Sequence, residues 1–336
     1  MDKIRGTLIL TRAELEPLME PPAIIEAVER AFRAHAQGDS FGNAMIHGGT
    51  PGDLEFHIKS GGLAWGERRY FGLKANGSCF RNRELRGLPN ILGAILLFDG
   101  ESGYPLAVLE STVLTRHRTA AGTAVAIRLL APTDAGSLAI FGCGNQGRMH
   151  VRYLREVLRL EEIWAYDVDP AVAADFAAAV TREHGLPVHV ADRPGSAAAR
   201  AQVLVTCTPS KVPFLKRSDI RPGATIAAIG SDSPDKQELE ATILAGATVV
   251  TDITRQCAEA GELHHALEAG MISAADVHGE IGEVLAGRKP GRRSAQETII
   301  YDATGTALQD TAGAIVVYEK ALGRGLGLVL DLFAGR

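Results

Sequence analysis

Apolar positions in residues 11–37 recur at helical spacing, with Leu15, Leu18, Ile24, Ile25, Val28, Ala31 and Phe32 on one face. Pro21-Pro22 divides this stretch into two segments, because proline lacks the N–H that a helix interior uses. Residues 40–110 follow another rhythm. Short apolar runs alternate with glycine-rich turns: Phe56-His57-Ile58-Lys59, Tyr70-Phe71-Gly72-Leu73-Lys74, and Ile91 to Phe98. The last run passes through Asp99-Gly100-Glu101-Ser102-Gly103 into Tyr104 to Leu109, the pattern of a hairpin with turn chemistry at its tip. Antiparallel sheet with flanking helices is expected here.

Residues 119–130 are rich in small side chains and read as a helix that Pro132 ends. From Ser137 the pattern becomes strand, helix, strand, helix. Leu138 to Phe141 is a continuous apolar run, as suits a strand buried on both faces. A helix is expected over Asn145 to Leu160, a strand over Ile163 to Tyr166 and a helix over Pro170 to His184. A strand at Pro187 to Ala191, a short helix near Ser196, and strands at Val203 to Cys207, Thr225 to Ile229 and Val249 to Ile253 continue the series. Such alternation gives a parallel sheet with helices on both faces, so the fold class is α/β. A helix over Gln309 to Leu322 precedes a glycine-rich tail whose apolar end, Leu326 to Phe333, is expected to return to the first domain.

Length permits two domains: the chain has 336 residues. Its composition, 46% hydrophobic and 22% charged, is that of an ordinary globular protein. A formal net charge of -5 offers no basic field for nucleic acid or an anionic membrane. No apolar run reaches the roughly 18 residues of a membrane span. Met1 to Leu10 carries two basic residues and a short apolar run without a small-residue cleavage site, so no signal peptide is read and a cytoplasmic protein is expected. Cys79, Cys143, Cys207 and Cys257 form no CxxC pair, which leaves free thiols as the expectation and no metal site.

The sharpest motif is Gly142-Cys143-Gly144-Asn145-Gln146-Gly147, a GxGxxG between an expected strand and an expected helix. Gly142 permits the tight turn, Gly144 admits a pyrophosphate close to the backbone, and Gly147 lets helix and strand pack. Unpaired N–H groups at the helix start then bind phosphate, with Asn145 and Gln146 as added donors. Asp167 ends the second strand, 20 residues past Gly147. A carboxylate there accepts from a ribose diol and repels a 2′-phosphate, which favours NAD over NADP. Thr208 and the Gly230-Ser231-Asp232 segment follow later strands, at the edge where open parallel sheets bind ligands.

Together these residues resemble the ornithine cyclodeaminase/mu-crystallin family. The blocks that carry the resemblance are Gly72-Leu73-Lys74 with Asn76; Leu97-Phe98-Asp99 with Gly103 to Ala107; Leu114 to Ala121; Gly142 to Gly147; Gly230 to Lys236; and Asp302-Ala303-Thr304-Gly305 with Asp310. The resemblance implies a homodimer of chains, each with a Rossmann NAD-binding domain and a split α+β substrate-binding and dimerisation domain. We place the Rossmann domain at 119–311 and the split domain at 1–118 with 312–336.

The same resemblance makes Lys74 the active-site lysine and Asp232 the catalytic aspartate. An ammonium beside a substrate pairs with its carboxylate or polarises C=N, and a carboxylate beside the reacting carbon activates water or orients an amine. Arg118 offers a guanidinium fork to a carboxylate, and Arg116 is its near neighbour. Thr119 is expected to cap the following helix and touch phosphate, Thr304 to meet substrate, and Lys236 to reach the cofactor. One departure stands out. Ornithine-type members carry an arginine upstream of the lysine, and here none occurs between Arg33 and Arg68. Lys59 or His47 is the candidate replacement and Glu55 the candidate acid. His57, His117, His264 and His265 receive no role.

The leading expectation is therefore an NAD-dependent oxidoreductase acting at the CH–NH or C=N carbon of a small amino or cyclic imino acid. One alternative is a cyclodeaminase that recycles NAD while releasing ammonia. The other is a mu-crystallin-like protein that binds nucleotide and small ligand with little turnover.

Overall fold

The computed structural model describes residues 6–50, 54–79 and 81–334; residues 1–5, the start of the segment read for a leader, lie outside them. The chain divides into two compact units, one of residues 1–119 with 306–336 and one of residues 120–305. The expected boundary after 311 moves to 306 for a packing reason. The first turns of the helix Ala307–Arg324 already lie on the sheet of the first unit: a Cβ on Gly61 would stand 3.2 Å from Ala307 Cβ, and one on Gly72 2.2 Å from Thr311 Oγ1.

The first unit holds a mixed sheet of β1 (Thr7–Leu10), β2 (Ser40–Gly49), β3 (Leu54–Trp65), β4 (Arg68–Cys79), β5 (Ile91–Asp99), β6 (Pro105–Glu110) and, from the chain end, a returning Leu328–Leu330 strand. Its order is Leu328–Leu330, β1, β6, β5, β4, β3, β2, so the tail does return to this unit, pairing antiparallel with β1. The Asp99 turn links β5 and β6 as a hairpin: Asp99 Oδ1 accepts from Ser102 N–H at 2.7 Å. Pro21-Pro22 opens the helix Pro21–Gln37, where a missing N–H costs nothing, and Gly38 ends it at φ 85°.

Strand alternation gives this sheet two distinct faces. Along β4, Gly72, Lys74, Asn76 and Ser78 are buried, whereas Phe71, Leu73, Ala75 and Gly77 are half-buried. The helix Ala307–Arg324 covers the first set. The second set belongs to an open apolar face with Phe41, Ile46, Phe56 and Leu92, which are 39%, 59%, 43% and 40% exposed. Phe41, Phe71 and Phe98 form an aromatic row across it, with ring centroids 6.3 and 6.5 Å apart.

The second unit is a parallel sheet of β7 (Ser137–Phe141), β8 (Glu162–Tyr166), β9 (Val188–Val190), β10 (Val203–Thr206), β11 (Thr225–Ala228), β12 (Thr248–Thr251), β13 (Gly279–Glu280) and β14 (Ile299–Asp302). The strand Leu328–Leu330 is then β15. The order β9-β8-β7-β10-β11-β14-β12-β13 reverses direction between β7 and β10. That reversal is the switch point at which doubly wound sheets bind ligands. Its central strands β7, β10, β11 and β14 are buried along their whole length and mainly apolar, as a sheet covered on both faces requires.

Three element expectations change. The helix expected over 145–160 stops at Leu154. The helix expected from residue 119 begins at Ser111. It starts directly off β6, and its first N–H groups, Thr112 and Val113, donate to the Glu110 carboxylate at 2.9 and 3.0 Å. Glutamate is not a usual cap, so no start signal stands in the sequence there. Strand β14, absent from the sequence reading, inserts between β11 and β12.

Candidate functional site

In the first unit, β3 and β4 pair in a register that sets Lys59 directly opposite Lys74. Like charges facing across a ladder repel, and both side chains are buried, at 4% and 3% exposure. Asp310 answers that repulsion from the helix Ala307–Arg324: its Oδ2 lies 2.7 Å from Lys74 Nζ. Its Oδ1 accepts from Arg118 Nε at 2.9 Å. Arg118 Nη1 donates to Gln309 Oε1 at 3.1 Å, the same oxygen that receives the Thr306 N–H in the capping box of this helix. One helix start thus aims both a carboxylate and an amide oxygen at the arginine.

The electrostatics follow from three cations around one carboxylate in a dry place. Burial pushes the Asp310 carboxyl up, but Arg118 and Lys74, with Lys59, outweigh it and hold it below the usual aspartate range. Lys74 moves the other way. Burial, then the Arg118 charge, lowers its pKa to about 7 against the opposing pull of Asp310. Lys74 is therefore an amine that exchanges a proton near neutrality, in a cluster with more positive than negative charge. A carboxylate arriving there restores balance and recharges the lysine. Thr115 Oγ1 lies 3.5 Å from Lys74 Nζ, and Asn76 accepts from Ser111 Oγ at 2.6 Å on the same face.

In the second unit, the GxGxxG turn follows β7 at the switch point. Gly142 takes φ +96°, which an L side chain rarely adopts, and a Cβ on Gly147 would stand 2.4 Å from Gly142 O. Beside Gly144 there is open space. Gly144 is the N-cap of the helix Asn145–Leu154 and supplies no side-chain cap, so the helix start faces that space with its N–H groups. The turn fits a pyrophosphate. Asp167 Oδ2 accepts from Cys143 N–H at 2.8 Å and Oδ1 from Asp169 N–H at 3.0 Å, which fixes the carboxylate at the turn with lone pairs to spare. The helix Pro170–His184 is capped by Asp169, which accepts from Ala171 N–H. Asn145 is exposed at the helix start and Gln146 is half-buried behind it.

Further along the carboxyl edge, Thr208 and Gly230 both donate to Glu238. Ser231 Oγ donates to Lys236 O at 2.6 Å. Asp232 is half-exposed and its Oδ1 accepts from Lys236 Nζ at 2.6 Å, so the lysine expected to reach a cofactor is engaged by the aspartate. The structure therefore gathers Lys59, Lys74 and Arg118 in one unit, and Asp232, Lys236, Thr208 and the glycine turn in the other.

Several expectations need correction. Thr119 is no cap: it lies well inside the helix Ser111–Leu130, and Arg118 is within that helix rather than ahead of it. Thr304, expected to meet substrate, is buried after β14 in the second unit, where its N–H meets the Cys257 thiol. Of the replacements for the missing arginine, Lys59 joins the cluster, whereas His47 stacks edge-on against His57. Glu55 lies 3.4 Å from His57 Nε2. Asp310 and Glu238 were missed as functional candidates. A Thr306-x-x-Gln309 capping box was the available signal for the helix start that presents Asp310. All four cysteines are free thiols, and no helix among the described residues is long and apolar enough to cross a membrane. His264, His265 and Glu268 bring ligand atoms within 4.8 Å of one another. Both rings already meet backbone carbonyls, of Ala258 and Lys236.

The model of the ornithine cyclodeaminase/mu-crystallin family matches residues 5–325. A curated alanine dehydrogenase from Archaeoglobus fulgidus is 38% identical over 97% of this chain and 99% of its own. Among solved structures, an archaeal alanine dehydrogenase dimer with bound NAD superposes with a TM-score of 0.92 at 37% identity, covering 98% of this chain and all of that one. The Δ1-pyrroline-2-carboxylate reductase of Thermococcus litoralis, in complex with NADH and L-proline, also gives 0.92, at 28% identity over 96% of this chain and 100% of its own.

Proposed function

Since the chain belongs to the ornithine cyclodeaminase/mu-crystallin family, we propose that it is an NAD-dependent oxidoreductase acting at the CH–NH or C=N carbon of a small amino or cyclic imino acid. The observation that carries this reading is the buried cluster in which Lys59, Lys74 and Arg118 surround Asp310. Its excess of positive charge suits a substrate carboxylate. Its near-neutral lysine suits a reaction in which a nitrogen gains or loses a proton. The relatives' bound NAD, NADH and L-proline support the same class of ligands.

The cofactor supplies or accepts the hydride when bound. Gly142, Gly144 and Gly147, with Asn145 and Gln146, are proposed to receive its pyrophosphate, and Asp167 its ribose. Asp167 makes NADP the poorer ligand. Arg118, fixed at two donors by Asp310 and Gln309, is preorganised to grip a carboxylate without first losing rotamer freedom. Lys59 adds charge behind it. Lys74 as ammonium pairs with the substrate and polarises C=N. On reduction the carbon takes hydride and the nitrogen a proton, and on oxidation both leave. Asp232, with Lys236, is the proposed manager of water and protons.

The test is a panel of L-amino acids and cyclic imino acids with NAD(H), reading reduced nicotinamide and ammonia together. Net NADH change on a member of the panel is expected. Ammonia release without net NADH change would replace this reading by redox-neutral cyclodeamination. Tight dinucleotide binding with no turnover on any member would leave the binding-protein reading.

A homodimer and a cytoplasmic location complete the proposal. The open face of the first unit's sheet supports the dimer, since an apolar surface of this kind on a soluble protein marks a contact site. Phe71→Glu is expected to convert a dimer into a monomer with an unchanged circular dichroism spectrum, read by light scattering on a sizing column. A dimer that persists in that variant would move the contact elsewhere.

A further inference from the structure

Glu238 is wholly buried. Its Oε1 accepts from the Thr208 N–H at 2.7 Å and from the Thr208 hydroxyl at 2.8 Å, and its Oε2 accepts from the Gly230 N–H at 2.9 Å. Thr208 follows β10 and Gly230 follows β11, adjacent parallel strands of one sheet. These turns lie in close contact. A Cβ on Gly230 would stand 2.3 Å from Thr208 O and 2.6 Å from Glu238 Oε1. A Cβ on Gly142 would stand 2.8 Å from Cys207 O and 3.0 Å from Thr208 Cγ2. One carboxylate therefore holds the turns after β10 and β11, and the first of these packs against the glycine turn after β7.

Glu238 is itself held from behind by a second buried acid. Glu262 accepts from the backbone N–H groups of Glu238 and Leu239 at 2.7 and 3.2 Å. Asp302 in turn accepts from those of Glu262 and Leu263 at 3.2 and 2.9 Å. The acids are linked through backbone, so the position of Glu238 is fixed by the core of the unit rather than by solvent.

We propose that Glu238 is a positioning residue of the dinucleotide site, acting through Thr208 and Gly230 to hold the turns beside Gly142 in the shape that receives the cofactor. This rests on the NAD-dependent reading above. The chemistry demands a carboxylate. Both oxygens receive donors, and an amide in its place turns an NH2 group toward one of those N–H groups. Burial is the larger influence and raises the carboxyl's pKa, and the bonds from Thr206, Thr208 and Gly230 offset that rise only in part.

The experiment compares wild type with Glu238→Gln, Thr208→Val and the double variant by NADH fluorescence titration, steady-state kinetics and hydrogen exchange of the ligand-free protein. Glu238→Gln is expected to raise the Kd and KM for NADH about tenfold or more. Its kcat at saturating NADH and its KM for the imino acid should stay within about threefold of wild type. Exchange should quicken at the segments around Thr208 and Gly230 and stay unchanged in the first unit. The double variant should bind no worse than Glu238→Gln alone, because the glutamate works through the threonine. A wild-type Kd in Glu238→Gln overturns the proposal, as does a loss confined to kcat and thermal stability. Should Glu238→Gln not fold, Thr208→Ser and Thr208→Val decide: equal affinity in both overturns it, and loss only in the valine variant supports it. A wild-type protein that binds no dinucleotide refutes the functional reading instead, an outcome distinct from a wild type that binds and a variant that binds as well.

Discussion

Lys74→Ala is expected to lower kcat/KM by about 10²–10⁴, the range in which a positioned acid or base contributes to catalysis. NADH affinity should remain at the wild-type value. The variant removes an amine that burial and Arg118 hold near pKa 7, and it leaves Asp310 paired with Arg118 at 2.9 Å. The buried carboxylate therefore keeps a partner, and the fold is expected to survive. Steady-state turnover and a binding titration on one preparation separate the two effects. Retention of turnover within tenfold would remove Lys74 from the mechanism.

The pH dependence of the wild type follows from the same group. Imino acid reduction requires the ammonium form, so kcat/KM is expected to fall as pH rises through about 7, the value at which Lys74 loses its proton. Asp310→Asn changes this in a defined direction. The Asp310 carboxylate raises the Lys74 pKa against burial, Arg118 and Lys59. Removing that charge makes the ammonium less favourable, so the falling limb moves to lower pH. Titration of the substrate is common to both enzymes and cancels in the comparison. Breaking a buried ion pair from one side also costs about 3–5 kcal/mol of stability. Here Lys74 escapes part of that cost by deprotonating, while Arg118 does not. A pH profile together with a thermal melt reads both effects, and an alkaline limb unmoved by the substitution would show that Asp310 does not govern Lys74.

How much of this was legible from residue order depends on the range of each interaction. The helix Pro170–His184 has the expected bounds because its signals are adjacent to it: Asp169 caps the start, Pro170 takes the first position, and Gly185 ends it at φ 68°. The helix at Ser111 carries no such signal, because the capping carboxylate comes from Glu110 at the end of a strand. Lys74 and Arg118 were found through short blocks, but what each would touch was not. The arginine and Asp310 stand 192 positions apart, and nothing near either names the other.

The amino-acid order by itself settled the strand–turn–helix at Gly142 to Gly147 and the alternation that follows it. Those features arise from glycine dihedrals and apolar periodicity within a few residues. Only the tertiary structure decided that Lys59 faces Lys74, that Asp310 neutralises part of their charge, and that β14 enters the sheet between β11 and β12. Strand register and burial are set by packing between segments far apart in the chain. The shift of the Lys74 proton equilibrium comes from that burial and from the charges it brings together.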